Sequence, residues 1–331
     1  MIKQWMILSS CALLMACASS PEQPKPVAST PTASTSKWDD SYGGVDKSYD
    51  TNLLKLRSEI APRFQQLTYQ DSVTGRSMAY NLYIPKGYQP GKSYPLIMFI
   101  ADASTVGRGV KAPLMQGYGG IIWATDESQS KHPAFVLVPS FAGPQWAVND
   151  NWQVSDEVGI ATRLLKDTLA HYNIDRNRVY TTGQSMGGMI SFYLNVTEPN
   201  LFAASMFVGS QWDTKVLSPL AHDRFLYIVS AGDPKASVGM RDLGGLLTSL
   251  GAKYGQTEFS AMLPQSEQNA LTQKLLDKGA PINFIEFTPK TVAPLAYQQG
   301  NGQMFEHMYA FDHAYLLEPA RDWLFKQTRA K

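Results

Sequence analysis

One short stretch, residues 183–187, constrains the fold of this chain more than any other part of the sequence. A β-branched and aromatic run at 178–182 precedes it, and a mostly apolar run from Met189 to Leu194 follows it. The first run is typical of a short buried strand and the second of a buried helix. The intervening residues therefore join strand to helix in one sharp turn, with Ser185 at its centre.

The glycines around Ser185 fit such a turn because a side chain two positions before or after the serine would collide with the backbone. The turn strains the serine backbone and lifts its hydroxyl above the sheet edge. It also points the N-terminus of the next helix at whatever the serine attacks. The pattern G-x-S-x-G in this context predicts a nucleophile elbow. A glycine-rich turn with an incidental serine is the alternative, which the flanking strand and helix disfavour.

The composition limits the classes of function that this chain can have. With 44% hydrophobic and 17% charged residues over 331 positions, it is typical of a globular protein with a sizeable core. The net charge of +1 and the scattered basic residues give no reason to expect a nucleic-acid partner. The two cysteines lie at positions 11 and 17, which excludes a disulfide framework or a cysteine-ligated zinc from the folded part. No H-E-x-x-H spacing and no phosphate-binding glycine loop is present, so we expect neither a metal nor a cofactor.

The N-terminus reads as an export signal. Lys3 is followed by an apolar run that ends near Met15 and is too short to span a bilayer permanently. Residues 14–17, Leu-Met-Ala-Cys, resemble the lipobox of bacterial lipoproteins, in which cleavage precedes a cysteine that carries the lipid. The resemblance implies lipidation of Cys17 and anchoring to a membrane of a bacterial cell envelope. An ordinary cleavable signal with a chance cysteine is the alternative.

Behind this signal the composition shifts to Ser, Thr, Pro and Ala over residues 18–44. Such a segment buries too little apolar surface to offset its ordering entropy, so we expect a flexible tether. The predicted organisation is a signal peptide at 1–16, the lipidated cysteine and tether at 17–51, and one catalytic domain at 52–331.

Apolar and amphipathic runs alternate through the rest of the chain. Two antiparallel strands are expected at 64–69 and 78–84. Buried strands are expected at 96–100, 135–138, 178–182, 203–208, 225–229 and 282–287. Helices are expected after the elbow and at 155–172, 243–250, 267–276 and 318–327. This alternation predicts an α/β fold, with a mostly parallel central sheet, helices on both faces and the site beyond the carboxyl ends of the strands.

With the elbow on this strand order, the chain resembles the α/β-hydrolases. It is most similar to secreted esterases such as feruloyl esterases and polyhydroxybutyrate depolymerases, and it is related to prolyl-oligopeptidase-type catalytic domains. The resemblance covers residues 63–327 and is carried by YIPKGY at 83–88, YPL at 94–96 and DRNRVY at 175–180. It implies a serine hydrolase that works through a Ser-His-Asp triad and an acyl-enzyme.

The chain departs from these relatives at the loop after the third strand. They usually have His-Gly there, whereas this chain has Ala101-Asp102-Ala103. The resemblance implies an oxyanion hole made by the backbone N–H of Met186 and by one from this loop, where Asp102 and Ala103 are the candidates. We expect the Asp102 carboxylate to point away, because its charge would oppose a developing oxyanion.

The serine needs a base, and the chain offers five histidines. Three of them precede strands and so fall at the wrong edge of the sheet: His132, His171 and His222. His307 and His313 remain, both in the expected loop between the last strand and the last helix. We favour His307, in a stretch expected to be flexible, over His313, which we expect to pack against the last helix.

The candidate acid is Asp233, which directly follows the 225–229 strand in a Gly-Asp-Pro turn. It matches the position of the acid in the family, where it would fix the imidazole tautomer and stabilise the imidazolium. An ordinary turn aspartate is the alternative reading, and Asp213 is the reserve candidate.

Three tryptophans follow strands at the same edge of the sheet: Trp146, Trp152 and Trp212. Indole faces suit sugar rings or aromatic acyl groups, so we interpret these residues as substrate-binding, with covering of the sheet edge as the alternative. The predicted function is hydrolysis of carbohydrate-linked carboxylic esters, with a small-molecule or polysaccharide ester as substrate.

Two other functions remain open. One is a serine peptidase of the prolyl-oligopeptidase type, although the segment between the tether and the third strand is too short for the β-propeller that such peptidases carry. The other is a lipid-anchored binding protein that has lost catalysis.

Overall fold

A central sheet of nine strands organises the computed structural model, which describes residues 38–144, 146–294 and 302–329. The strands are β1 Gln65–Gln70, β2 Ser77–Tyr83, β3 Tyr94–Ile100, β4 Phe135–Pro139, β5 Ile174–Gln184, β6 Ala204–Val208, β7 Phe225–Ser230, β8 Tyr254–Phe259 and β9 Ile282–Phe287. Their spatial order is β1-β2-β4-β3-β5-β6-β7-β9-β8. The pairs β1–β2 and β2–β4 are antiparallel, and every other pair is parallel.

Helices cover both faces of this sheet. They are α1 Thr51–Ile60, α2 Ala112–Met115, α3 Asp126–Lys131, α4 Asp156–His171, α5 Met186–Thr197, α6 Ala236–Ser249, α7 Gln265–Leu276, α8 Gly302–Leu316 and α9 Glu318–Lys326. Alternate residues of β3 enter different cores, because successive side chains of a strand point to opposite faces. Ile97 lies in the core that includes residues of α1, α7, α8 and α9, and Met98 lies in the core that includes residues of α4, α5 and α6. The predicted fold class, a mostly parallel sheet with helices on both faces, is confirmed.

Five of the strands and helices named above were not expected from the sequence: β8, α1, α2, α3 and α8. Strand β8 lies at the sheet edge with four of its six residues exposed or partly exposed, so it lacks the continuous apolar run that marks the buried strands. Helix α1 is short and mostly exposed. Helix α8 occupies most of the region that we expected to be a loop before the last helix, and only Leu317 separates it from α9.

The folded unit also begins before the predicted boundary at residue 52. Val45 is buried in the core, and Lys47 pairs with Asp312 of α8 at 2.7 Å. Asp50 caps α1 by accepting the N–H of Leu53 at 2.9 Å. The composition does not predict that this segment is folded, because single side chains attach it to the domain and it has no periodic apolar pattern. The signal peptide, Cys17 and the tether up to residue 37 lie outside the described residues.

An ion pair ties the turn between β1 and β2 to α4. The guanidinium of Arg163 donates to both oxygens of Asp71, at 2.6 and 2.9 Å. These bonds hold the pKa of the Asp71 carboxyl well below its usual range.

Among the helices in the described ranges, none has both the length and the apolar character needed to cross a bilayer.

Candidate active site

The turn around Ser185 has the geometry that the glycine pattern predicts. Strand β5 ends at Gln184 and α5 begins at Met186, so Ser185 alone makes the turn, with φ +50° and ψ −120°. A left-handed φ in a residue with a side chain costs about 1–3 kcal/mol and persists only where the surroundings impose it. A Cβ on Gly183 would lie 2.2 Å from the carbonyl oxygen of Gly187. A Cβ on Gly187 would lie 1.9 Å from the carbonyl oxygen of Ile100, so neither position admits a side chain.

The structure brings the three candidate triad residues together. Nε2 of His307 lies 2.8 Å from Oγ of Ser185, and its Nδ1 lies 2.5 Å from Oδ2 of Asp233. An ionised carboxylate only accepts hydrogen bonds, so Nδ1 carries the proton and Nε2 is left to accept from the serine hydroxyl. Oδ1 of Asp233 accepts the backbone N–H groups of Lys235 at 3.1 Å and Ala236 at 3.2 Å, which fixes the carboxylate.

His307 reaches the site from a helix and not from the loop that we expected. It lies in α8, where its neighbour Glu306 is buried and fastens the helix to the sheet. Glu306 accepts a hydrogen bond from the hydroxyl of Ser230, at the end of β7, and another from the backbone N–H of Lys290 at 2.6 Å. The sequence gives no sign of this role of Glu306, since a lone glutamate beside a histidine forms no motif.

His313 lies on the same helix but contacts a different part of the chain. Its partly buried ring lies beside Phe287, and Nε2 donates to the carbonyl oxygen of Val292 at 3.0 Å. Burial lowers the pKa of this imidazole. His313 therefore packs near the end of β9, and His307 is the histidine that meets Ser185.

Three of the other candidates for the base and the acid, His132, His171 and Asp213, have other partners. His132 lies 2.9 Å from a carboxylate oxygen of Asp322, and His171 contacts the carbonyl oxygen of Asp167 in its own helix. The reserve acid Asp213 caps a short turn by accepting the N–H of Lys215 at 3.0 Å. Within the part of the chain that the structure describes, no group of three or more His, Cys, Asp or Glu side chains is placed to hold a metal ion.

The carboxylate of Asp102 is occupied by donors from three neighbouring segments. It accepts the backbone N–H of Ser104 at 2.7 Å and the side-chain amides of Gln116 and Gln184, the latter at 3.0 Å. Asp102 precedes a short 3-10 helix, Ala103–Thr105. The first N–H groups of a helix have no acceptor within it, which leaves those of Ala103 and Met186 as donors for a ligand.

The three tryptophans differ in exposure. Trp146 is 59% exposed and Trp152 is 36% exposed, whereas only 6% of Trp212 is exposed. The Trp212 ring lies 5.3 Å from Trp152 and 5.9 Å from Tyr193 of α5. Trp212 is thus a packed support and offers no face to a substrate, which differs from our expectation. The adjacent Asp150 pairs with Lys235 at 2.6 Å, so the loop that carries Trp152 is tied to the loop that carries Asp233.

No family model matches the chain, and no curated protein matches it. Solved structures do match it. A thermostable esterase superimposes with a TM-score of 0.62 over 82% of this chain, at 24% identity, and the chain spans 64% of the length of that protein. A ferulic acid esterase superimposes with a TM-score of 0.53, at 12% identity, over 79% of this chain and 98% of that one.

A third similar structure is a mutant of the feruloyl esterase module from Clostridium thermocellum in complex with sinapinate. It superimposes with a TM-score of 0.51 at 13% identity, over 87% of this chain and 95% of that one. Likeness at such low identities establishes a fold. Together with the sheet order and the turn at Ser185, it shows that the chain has the α/β-hydrolase fold.

Proposed function

We propose that this protein is a serine hydrolase that cleaves carboxylic esters through an acyl-enzyme on Ser185. The observation that supports it most is the hydrogen-bonded series from Ser185 through His307 to Asp233, with 2.8 and 2.5 Å between the bonded atoms. A serine hydroxyl is a weak nucleophile without a base, and this series supplies the base together with the group that orients it. Complete geometry of this kind favours catalysis over an inactive binding protein.

In the proposed reaction, Oγ of Ser185 attacks the ester carbonyl carbon while Nε2 of His307 takes the hydroxyl proton. The tetrahedral intermediate collapses as the imidazolium of His307 gives that proton to the leaving alcohol, and Ser185 keeps the acyl group. Water then attacks the acyl-enzyme, again with His307 as base, and releases the carboxylic acid and free Ser185. Asp233 holds the imidazole tautomer and stabilises the imidazolium in both halves.

The oxyanion of each tetrahedral intermediate needs hydrogen-bond donors that are already in place. We assign this role to the backbone N–H of Met186 and to one from the 102–103 segment. The carboxylate of Asp102 is held by Ser104, Gln116 and Gln184, so its charge is engaged with N–H donors of its own.

Three solved structures with this fold are named esterases, and we carry that activity to this chain as part of the proposal. The test is to compare turnover of short p-nitrophenyl esters, feruloylated and acetylated oligosaccharides, and aminoacyl amides. We expect the esters to be cleaved faster than the amides. Cleavage of the amides alone would identify a peptidase on the same triad and contradict the proposal.

We further propose that the substrate is an ester linked to a carbohydrate. Trp146 and Trp152 present exposed indole faces on the loop tied to the Asp233 loop, and such faces stack on sugars or aromatic acyl groups. Two of the similar structures are ferulic or feruloyl esterases, and one of those is a complex with sinapinate. These observations favour a bulky glycosyl or aromatic ester over a short aliphatic one.

Replacing Trp152 by Ala tests this substrate class. The loss of one aromatic contact surface costs about 1.5–3 kcal/mol of binding free energy. We therefore expect kcat/KM for a feruloylated oligosaccharide to fall about 10-fold or more. The value for p-nitrophenyl acetate should change less than about 2-fold, because that ester is too small to reach the ring. Val73→Ala removes a 70% exposed apolar side chain from the β1–β2 turn and serves as the control. Equal losses on both substrates would show that Trp152 is structural.

The N-terminal residues support a proposal about location. We propose that the protein is exported and that Cys17 carries a lipid that anchors it to an envelope membrane, based on the apolar run and the Leu-Met-Ala-Cys sequence at 14–17. A single early positive charge before a short apolar run is typical of an export signal.

Cys17→Ser tests the anchor. We expect it to abolish incorporation of labelled palmitate and to move the protein from the membrane fraction to the soluble fraction. Cys11→Ser is the matched control, since that cysteine lies within the signal and should be removed with it. A Cys17→Ser variant that still incorporates the lipid would contradict the proposed site.

A further inference from the structure

Three polar side chains form a buried cluster beside the candidate nucleophile: Asp102, Gln116 and Gln184. Oδ2 of Asp102 accepts the amides of Gln116 and Gln184, and Gln184 also donates to Oε1 of Gln116 at 2.5 Å. No more than 2% of any of the three residues is exposed. The carboxylate has three donors, the amides of Gln116 and Gln184 and the backbone N–H of Ser104, and all three are uncharged. Burying an ionised carboxylate costs several kcal/mol of stability unless hydrogen bonds compensate for the lost hydration. We therefore expect a buried charge at this position to have a function.

The position of the cluster in the chain indicates what that function is. Gln184 directly precedes Ser185 and Met186, and Asp102 directly precedes Ala103. The cluster thus links the two backbone segments whose N–H groups we assign to the oxyanion hole. These segments are already in contact, because a Cβ on Gly187 would lie 1.9 Å from the carbonyl oxygen of Ile100.

Asp102 also shapes the turn that carries Ala103. Oδ1 accepts the N–H of Ser104 at 2.7 Å, and the carbonyl oxygen of Asp102 accepts the Thr105 hydroxyl at 2.9 Å. One carboxylate oxygen therefore holds the local turn while the other holds the elbow side. A charged acceptor strengthens each hydrogen bond to the carboxylate relative to one with a neutral acceptor.

The N-terminal segment closes the cluster from outside. A Cβ on Gly43 would lie 2.1 Å from the carbonyl oxygen of Ser104, and one on Gly44 would lie 3.0 Å from the amide nitrogen of Gln116. Nη2 of Arg57 donates to the carbonyl oxygen of Gln116 at 2.8 Å. Close packing on these sides leaves Gln116 little freedom to move.

We propose that Asp102 is a positioning residue that sets the spacing between the two backbone donors, Met186 and Ala103. It acts through Gln184 and through its own turn, and its carboxylate does not touch the substrate. This inference rests on the proposed function, since it concerns the oxyanion of ester hydrolysis.

The test is Asp102→Asn, which places an NH₂ group or a weaker neutral acceptor among the amides of Gln116 and Gln184. We expect kcat on p-nitrophenyl acetate to fall about 10- to 100-fold while KM changes less than about 2-fold, because displaced donors weaken only transition-state binding. Affinity for a trifluoromethyl ketone, whose adduct with Ser185 carries an oxyanion, should fall by a similar factor. The midpoint of the pH profile of kcat/KM should not move. Gln116→Met should give the same pattern with a smaller loss.

Asp71→Asn is the matched control, because Asp71 is a buried carboxylate held by Arg163 in the β1–β2 turn. We expect it to lower Tm and to leave kcat and inhibitor affinity unchanged. The fraction of intact sites in every variant is counted by the amplitude of fluorophosphonate labelling.

Wild-type kcat and inhibitor affinity in both Asp102→Asn and Gln116→Met would overturn the inference, as would a loss no larger than the loss of titratable sites. That result leaves the proposed function standing, since the wild type still cleaves esters. A wild type without esterase activity would instead refute the proposed function.

Discussion

Replacing Ser185 by Ala is expected to lower kcat for ester hydrolysis by about 10⁴-fold or more, since loss of a nucleophile leaves only binding and oxyanion stabilisation. The hydroxyl that this change removes is the one that Nε2 of His307 meets at 2.8 Å. The measurement is the initial rate on p-nitrophenyl acetate above the uncatalysed background, with the wild type and the variant matched for folding by circular dichroism.

Ser205→Ala is the control for this change. Ser205 is a buried serine in β6 whose hydroxyl donates to the side chain of Asn195 at 2.9 Å. We expect it to cost some stability and to keep kcat within about 2-fold, since its hydroxyl contacts no group of the triad. Turnover by Ser185→Ala at the wild-type rate would remove the basis of the proposed mechanism.

The second large effect is expected from His307→Ala, which removes the base and should lower kcat by about 10³-fold or more. The fluorophosphonate should also react far more slowly, because the Ser185 hydroxyl loses the acceptor of its proton. Both kcat and the rate of labelling are measured.

His313→Ala on the same helix is the matched control. It removes a partly buried ring that is hydrogen-bonded to the Val292 carbonyl oxygen, so we expect a lower Tm with kcat close to the wild-type value. An inactive His313→Ala beside an active His307→Ala would reverse the assignment of the base.

The local features of the site could be predicted from the sequence, because they depend on the backbone geometry of a few neighbouring residues. Gly183 and Gly187 mark the elbow because a Cβ at either position collides with backbone. Asp233 follows a buried strand in a turn, which places it at the carboxyl edge of a parallel sheet. Such signals are contained in a few neighbouring residues, so periodicity and turn chemistry are sufficient to find them.

The features that could not be predicted from the sequence depend on residues that are far apart in the chain. The bond between Gln184 and Asp102 joins positions 82 apart in the chain, and it exists because β5 lies beside β3 in the sheet. The anchoring of Glu306 to Ser230 and the packing of Trp212 under Trp152 likewise depend on how elements meet in space. No pattern within one element reports such contacts.

The proposed mechanism requires that Ser185 becomes covalently acylated during turnover. The most direct measurement is mass spectrometry of peptides from enzyme treated with a fluorophosphonate, together with enzyme quenched during turnover of a slow p-nitrophenyl ester. We predict that both the phosphonyl and the acyl mass lie on the peptide that contains Ser185, and that Ser185→Ala carries neither. Modification at another residue, or steady turnover with no acyl group on Ser185, would contradict it.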